Sequence, residues 1–210
     1  MLRQCSLFDE PPAGFAMPLP GWPALEPREP GAPGRLHSVF FAVLPEPAEG
    51  LRLHAHARRV EEQLGFAGRA MDADRLHMTL RHLGVDASEP ATADVERWCR
   101  AAAAVRQSAF EVVFDHVATF SGKDRPCVFT SSDDAGLQRL HEALGIALAN
   151  TGERVARQRM APHMTLSWRG RRIEETPIEP VRWRVSELAL IDSHLGEHDH
   201  QVLGRWALAS

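Results

Sequence analysis

Hydrophobic and polar positions divide the chain into a proline-rich lead and a body in which strand-like and helix-like periods alternate. The lead, residues 1–35, carries prolines at 11, 12, 18, 20, 23, 27, 30 and 33 and glycines at 14, 21, 31 and 34. Such a segment sustains neither helix nor central strand and is expected to be a flexible arm. The folded body is expected over residues 36–210. It opens with His37-Ser38-Val39-Phe40-Phe41-Ala42-Val43-Leu44, a β-prone run closed by Pro45 that suits a largely buried strand. Pro47 then starts a helix whose apolar positions Leu53, Ala57, Val60 and Leu64 recur every three or four residues, with Gly65 as its stop.

A turn-like Asp72-Ala73-Asp74 precedes a strand at about 75–80. Val95, Trp98, Ala102 and Val105 mark a helix at about 90–106, and Phe110, Val112 and Phe114 alternate as a strand. After the turn-like Ser121–Asp124, a short strand around Val128–Thr130 leads to a helix striped by Leu137, Leu140, Leu144 and Leu148. Pro162–Trp168 reads as a further strand, and 181–192 with 201–208 as a closing pair. Mixed helices and mainly antiparallel strands predict an α+β fold.

Composition narrows the class. At 210 residues, 44% hydrophobic and 25% charged, the chain suits one globular domain or two small lobes sharing a core. No apolar run is long enough to span a membrane, and the amino terminus lacks a secretory pattern, so a cytoplasmic protein without membrane attachment is expected. Cys5, Cys99 and Cys127 are too few and too scattered for a disulfide framework or a CxxC site. The net charge of -4 argues against a surface that coats long nucleic acid, but leaves room for a small phosphorylated substrate or an RNA end.

The most informative feature is a tetrapeptide that occurs twice, as His77-Met78-Thr79-Leu80 and His163-Met164-Thr165-Leu166. In a strand, residues i and i+2 share a face, so each copy presents His with Thr while Met and Leu anchor the other side in a hydrophobic layer. The same alternation adds Arg81 to the first polar face and Ser167 and Arg169 to the second. If the strands meet in one cleft, two imidazoles and two hydroxyls converge on it, which is a phosphodiester site. A neutral imidazole removes a proton from water or a hydroxyl, its protonated partner gives one to the departing oxygen, and threonine hydroxyls donate to the non-bridging oxygens. The arrangement calls for no metal and no cofactor.

These residues resemble the two-histidine (2H) phosphoesterase superfamily, defined by two HxTx motifs, and within it the RNA 2',3'-cyclic phosphodiesterases also named 2'-5' RNA ligases. Phe40–Pro47 is similar to the family's first strand and turn, Leu83-Gly84 follows the first motif, and Pro162 precedes the second. The resemblance covers about residues 36–208. It implies a bilobal, pseudo-twofold α+β fold with a central cleft, two mainly antiparallel sheets and helices outside. It also implies hydrolysis of 2',3'-cyclic phosphate ends of RNA or oligonucleotides to 2'-phosphomonoesters, with weak reverse 2'-5' ligation. By motif position, His77 and His163 would be acid and base, and Thr79 and Thr165 the phosphate holders. Arg81-His82 departs from the family's usual aromatic or aliphatic pair, and the chain has no Tyr, so base stacking would fall to Phe, Trp, His or Arg.

Rival readings keep the residues and change what they do. One is cleavage of 2'-5' oligonucleotides or small cyclic phosphates, and another is RNA-end binding without turnover. Arg125, beside Phe120 and Pro126, is a candidate substrate contact with Arg81, Ser167 and Arg169. His194, His198 and His200 read as a solvated turn between the closing strands rather than a metal site. Gln4-Cys5-Ser6-Leu7-Phe8 is similar to the Gln-x-x-Leu-Phe peptide that enters the bacterial sliding clamp, which makes Gln4, Leu7 and Phe8 candidate contacts. A monomer is expected.

Overall fold

The computed structural model describes residues 36–121, 124–154, 160–195 and 199–209. The expected arm, the candidate clamp residues Gln4, Leu7 and Phe8, and His198 lie outside them. The described elements run β1 (Leu36–Val43), α1 (Pro47–Gln63), β2 (Arg69–Ala70), a 3-10 turn (Ala73–Arg75), β3 (Met78–Asp86), α2 (Thr92–Ala104), β4 (Phe110–Thr119) and β5 (Cys127–Thr130). They continue with α3 (Ala135–Asn150), β6 (Met164–Trp168), β7 (Thr176–Val185), β8 (Glu187–Leu195) and β9 (Asp199–Ala207). The strands form a four-stranded sheet ordered β3-β1-β8-β9 and a five-stranded sheet ordered β2-β6-β5-β4-β7. Every pairing between these strands is antiparallel. The fold is α+β, as the sequence pattern predicts. No helix among the described residues is long and apolar enough to cross a membrane.

One hydrophobic core joins both sheets to all three helices, including Phe41 and Leu190, Phe114 and Trp183, and Leu53, Trp98 and Leu137. The α3 stripe of Leu137, Leu140, Leu144 and Leu148 is fully buried. Each such leucine contributes about 1.5–3 kcal/mol relative to exposure. That burial, rather than capping, holds α3, whose Asp134 N-cap makes no side-chain cap hydrogen bond. Helix α1 closes at Leu64, and Gly65 turns the chain with φ +64°, a conformation that favours glycine.

The helices cross between the halves of the molecule. Helix α1 follows β1 of the four-stranded sheet, yet its Glu61 reaches Ser167 on β6 of the five-stranded sheet. Helix α3 follows β5 of the five-stranded sheet, yet its His141 packs on β3 of the four-stranded one. A second, smaller apolar cluster of Phe40, Ala42, Ala189 and Ile191 lies on the opposite face of the four-stranded sheet.

The structure corrects one span. The segment 181–192 is not a single strand: Val185 pairs with Phe110 in one sheet, and Glu187 with Ala207 in the other. Ser186 is where the chain changes sheets. Alternating burial of Val181, Trp183 and Val185 gives way after Ser186 to the continuously buried run from Leu188, so the change of sheet coincides with a change of pattern.

Candidate active site

His77 and His163 each stand immediately before a strand, β3 and β6, rather than within it. Those strands belong to different sheets and meet across the molecule. The local geometry of the two motifs matches. His77 Nδ1–H donates to the Arg75 carbonyl at 2.8 Å, and His163 Nδ1–H donates to the Ala161 carbonyl at 2.8 Å. A carbonyl two residues upstream thus fixes each ring and its tautomer and leaves Nε2 as the nitrogen for proton exchange with a substrate. The imidazoles are close enough for charge on His77 to disfavour charge on His163.

The match extends into the strands. In β3, Ala42 pairs with Thr79 and Phe41 with Arg81, so Leu80 is an extra residue in a β-bulge. In β6, Val128 pairs with Thr165 and Cys127 with Ser167, so Leu166 is the extra residue. Both motifs therefore carry their bulge at the same place. An inserted residue inverts the alternation beyond it.

The consequence corrects the expected positions of Arg81 and Ser167. Strict alternation places them with the histidines, but the bulges turn both to the core side, where they are buried against helices. Arg81 Nη2 donates to His141 Nε2 at 2.9 Å, and His141 Nδ1–H donates to the Leu80 carbonyl at 2.8 Å. Ser167 donates its hydroxyl to Glu61. Gly145 lies so close to this arrangement that an added Cβ would meet Arg81 Nη2 at 2.8 Å. Thr79 and Thr165 precede the bulges and remain half-buried, opposite Ala42 and Val128.

Aromatic rings back both histidines. Phe40 stacks on His77 with centroids 5.3 Å apart, and Phe120 meets His163 edge-on at 4.8 Å. The first half adds groups that the sequence pattern did not assign to the site. His200 on β9 meets the His77 ring edge-on at 5.3 Å, and Arg75 Nη2 donates to His200 Nε2 at 3.2 Å. His82, turned by the Leu80 bulge, stacks on Phe40 and shares a hydrogen bond of 2.8 Å with the Ser38 hydroxyl. His200 is therefore not part of a solvated turn. Its register partner is Ser193, which puts it on the sheet face opposite His194.

Arg125 and Arg169 are exposed, with φ values of +41° and +64°. Arg125 sits in the β4–β5 connection that delivers Phe120, closed by the Phe120 amide donating to the Pro126 carbonyl. Arg169 Nε donates to Asp124 at 2.6 Å, so this guanidinium is tied to a carboxylate of the same connection.

Burial keeps this histidine group neutral near pH 7. Loss of solvation lowers His77 from its ordinary value; the hydrogen bond to the Arg75 carbonyl opposes this, and the Arg75 charge adds to it. Burial first, and charge on His77 second, push His163 down to about 4. The same causes, with Arg75, push His200 down to about 3, and burial alone takes His82 to about 4. An anion entering beside these rings works in the opposite direction, favouring the protonated forms.

Two helix-backed HxT motifs brought together from separate antiparallel sheets define a class of phosphoesterase-like architecture. Residues 44–197 match the family model described as the 2'-5' RNA ligase superfamily, and the chain belongs to that family. Among solved structures, the chain is similar to apo Escherichia coli LigT, with 26% identity, a TM-score of 0.61, and coverage of 84% of this chain and 99% of LigT. LigT complexed with 3'-AMP matches at 24% identity and a TM-score of 0.62, over 84% and 99% of the two chains. The TT0787 protein of Thermus thermophilus shares the fold at 20% identity and a TM-score of 0.64, over 81% and 97%. Comparison with curated protein sequences gives no match.

Proposed function

We propose that this protein hydrolyses 2',3'-cyclic phosphate ends of RNA or oligonucleotides to 2'-phosphomonoesters, with His77 and His163 as acid and base. The observation that carries this reading is the matched geometry of the two motifs: same upstream carbonyl contact, same bulge position, facing strands of two sheets. The 3'-AMP complex of LigT supports a nucleotide-sized ligand for this architecture. His163, pushed down to about 4, takes a proton from water as its oxygen attacks phosphorus. The bond from phosphorus to O3' breaks, and His77, protonated once the anionic phosphate is beside it, gives its proton to that oxygen. Thr79 and Thr165 donate to the non-bridging oxygens, where charge gathers. With a 5'-hydroxyl in place of water as the attacking group, the same step breaks the bond from phosphorus to O3' and leaves a 2'-5' linkage, with His163 taking the hydroxyl proton and His77 protonating O3'; this is the weak ligation that the reading allows. The two imidazoles supply both proton transfers, so the reaction as drawn uses no metal.

The test is turnover of a short RNA ending in a 2',3'-cyclic phosphate, in EDTA, by the wild type and by His77→Ala and His163→Ala. Each substitution is expected to cost about 10²–10⁴-fold in kcat. A folded wild-type protein that binds phosphate ends without turnover would point instead to an RNA-end-binding module. Faster turnover of 2'-5' oligonucleotides or small cyclic phosphates would move the substrate assignment and leave the mechanism standing.

A further inference from the structure

His37, Asp192 and His194 form a cluster on the face of the four-stranded sheet that looks away from Phe40 and His200. Pairing of β1 with β8 is unbroken, with His37 directly opposite His194 and Val39 opposite Asp192. His37 therefore points to the same side as the core residues Val39 and Phe41, while Ser38 and Phe40 point to the other. The three side chains are almost completely enclosed, at 4%, 2% and 5% exposure. A carboxylate this deep needs compensation on both oxygens. Asp192 Oδ2 accepts from His37 Nδ1 at 2.6 Å and lies 3.6 Å from His194 Nε2, while the buried Oδ1 has no hydrogen-bond partner.

We propose that this cluster is a structural site for a divalent transition-metal ion of the zinc type, separate from the cleft. One ligand atom from each residue lies within 4.8 Å of the other two. Modest side-chain rotation brings such a set onto an ion that takes nitrogen and oxygen at about 2.0–2.2 Å. Two imidazoles and one carboxylate match zinc. Calcium and magnesium ask for an oxygen-rich shell, and copper(I) asks for sulfur. The ion takes the place of the proton between His37 Nδ1 and Asp192 Oδ2, and gives the unpartnered carboxylate oxygen a charge to face. Because the ligands come from paired positions on neighbouring strands, the ion ties the start of β1 to the end of β8. A site this enclosed is loaded as the chain folds.

The experiment uses full-length protein, stripped with chelator and refolded with zinc chloride alone, read by elemental analysis and thermal unfolding. The expected result is one equivalent of zinc and an unfolding midpoint raised by about 5 °C at zinc a hundredfold above its Kd. The cleft holds imidazoles of its own, so a double variant His77→Ala/His163→Ala serves as the control and is expected to keep the full equivalent. Asp192→Asn and His194→Phe are expected to lose it. Zinc that survives Asp192→Asn, zinc lost in the double variant, or a midpoint indifferent to zinc overturns the site. Should the Asp192 variant fail to fold, cobalt(II) in the wild type decides: an intense four-coordinate visible spectrum supports the site, and a weak six-coordinate one overturns it. Because the readouts are metal content and stability, failure of the proposed phosphodiesterase chemistry leaves this inference untouched.

Discussion

At the scale of single residues, the arrangement lowers the proton affinity of two ordinary imidazoles together. Nδ1 of each is committed to a backbone carbonyl, and burial lowers both pKa values, His163 to about 4. In the unliganded enzyme the base must be neutral and the acid protonated, and kcat/KM reports those free-enzyme values. The profile is therefore expected to have its optimum on the acid side of pH 6.5, because both imidazoles titrate below the ordinary value. The profile of kcat, which reports the bound state, is expected to lie at higher pH, because the phosphate anion favours both protonated imidazoles. Measuring both across pH 4–8 checks this. A kcat/KM optimum above pH 7 would contradict the assignment. His200 belongs to the same balance: neutral, edge-on to His77, and accepting from Arg75, it brings a guanidinium near the His77 ring.

At the scale of elements, the two bulges decide which side chains share a face with His77 and His163. A reading by strict alternation gives Arg81 a phosphate contact; the bulge gives it a buried hydrogen bond to His141. These make different predictions for Arg81→Met. The structure predicts an inhibition constant for inorganic phosphate unchanged within about twofold, with a loss of about 1–3 kcal/mol of stability from the hydrogen-bonding group left behind on His141. A large rise in the phosphate constant at unchanged stability would restore the alternation reading.

The motifs themselves were legible because Met78 and Leu80, like Met164 and Leu166, keep the period-two pattern that places His with Thr. The bulges were not legible, since the inserted residue is itself the expected leucine and the next residue, Arg or Ser, is polar in either register. Nor was the place of His200. It arrives from a strand that pairs at the far edge of the sheet, a long-range relation that local periodicity does not encode. Ser186, the point of sheet change, escaped for the same reason: the sheet a strand joins is decided by pairing, not by its own alternation.

At the scale of the whole molecule, placing several neutral imidazoles inside the structure makes stability depend on pH before any carboxylate is titrated. His82, His163 and His200 have folded-state pKa values of about 4, 4 and 3, all below the ordinary unfolded value near 6.5. Well above pH 6.5 these groups are neutral in both states and contribute no pH dependence. As pH falls below 6.5 the unfolded chain takes up protons that the folded chain refuses, so stability declines, with a slope set by the difference in bound protons. The decline continues toward pH 4, where the folded protein begins to protonate as well. Denaturant midpoints measured from pH 8 to pH 4.5 are expected to be flat down to about 7 and then to fall, with an uptake to which these three groups contribute up to one proton each and the lowered His77 adds a share. His82 is the group to vary, since its proposed part in the chemistry is nil while loss of solvation alone takes it to about 4. His82→Gln is expected to remove close to one proton from that slope without moving the kcat/KM profile. An unaltered slope in the variant would mean that the imidazole between Ser38 and Phe40 is already charged in the folded state, contrary to the structure. A slope reduced together with a shifted kcat/KM profile would instead place His82 within the electrostatic reach of the catalytic pair.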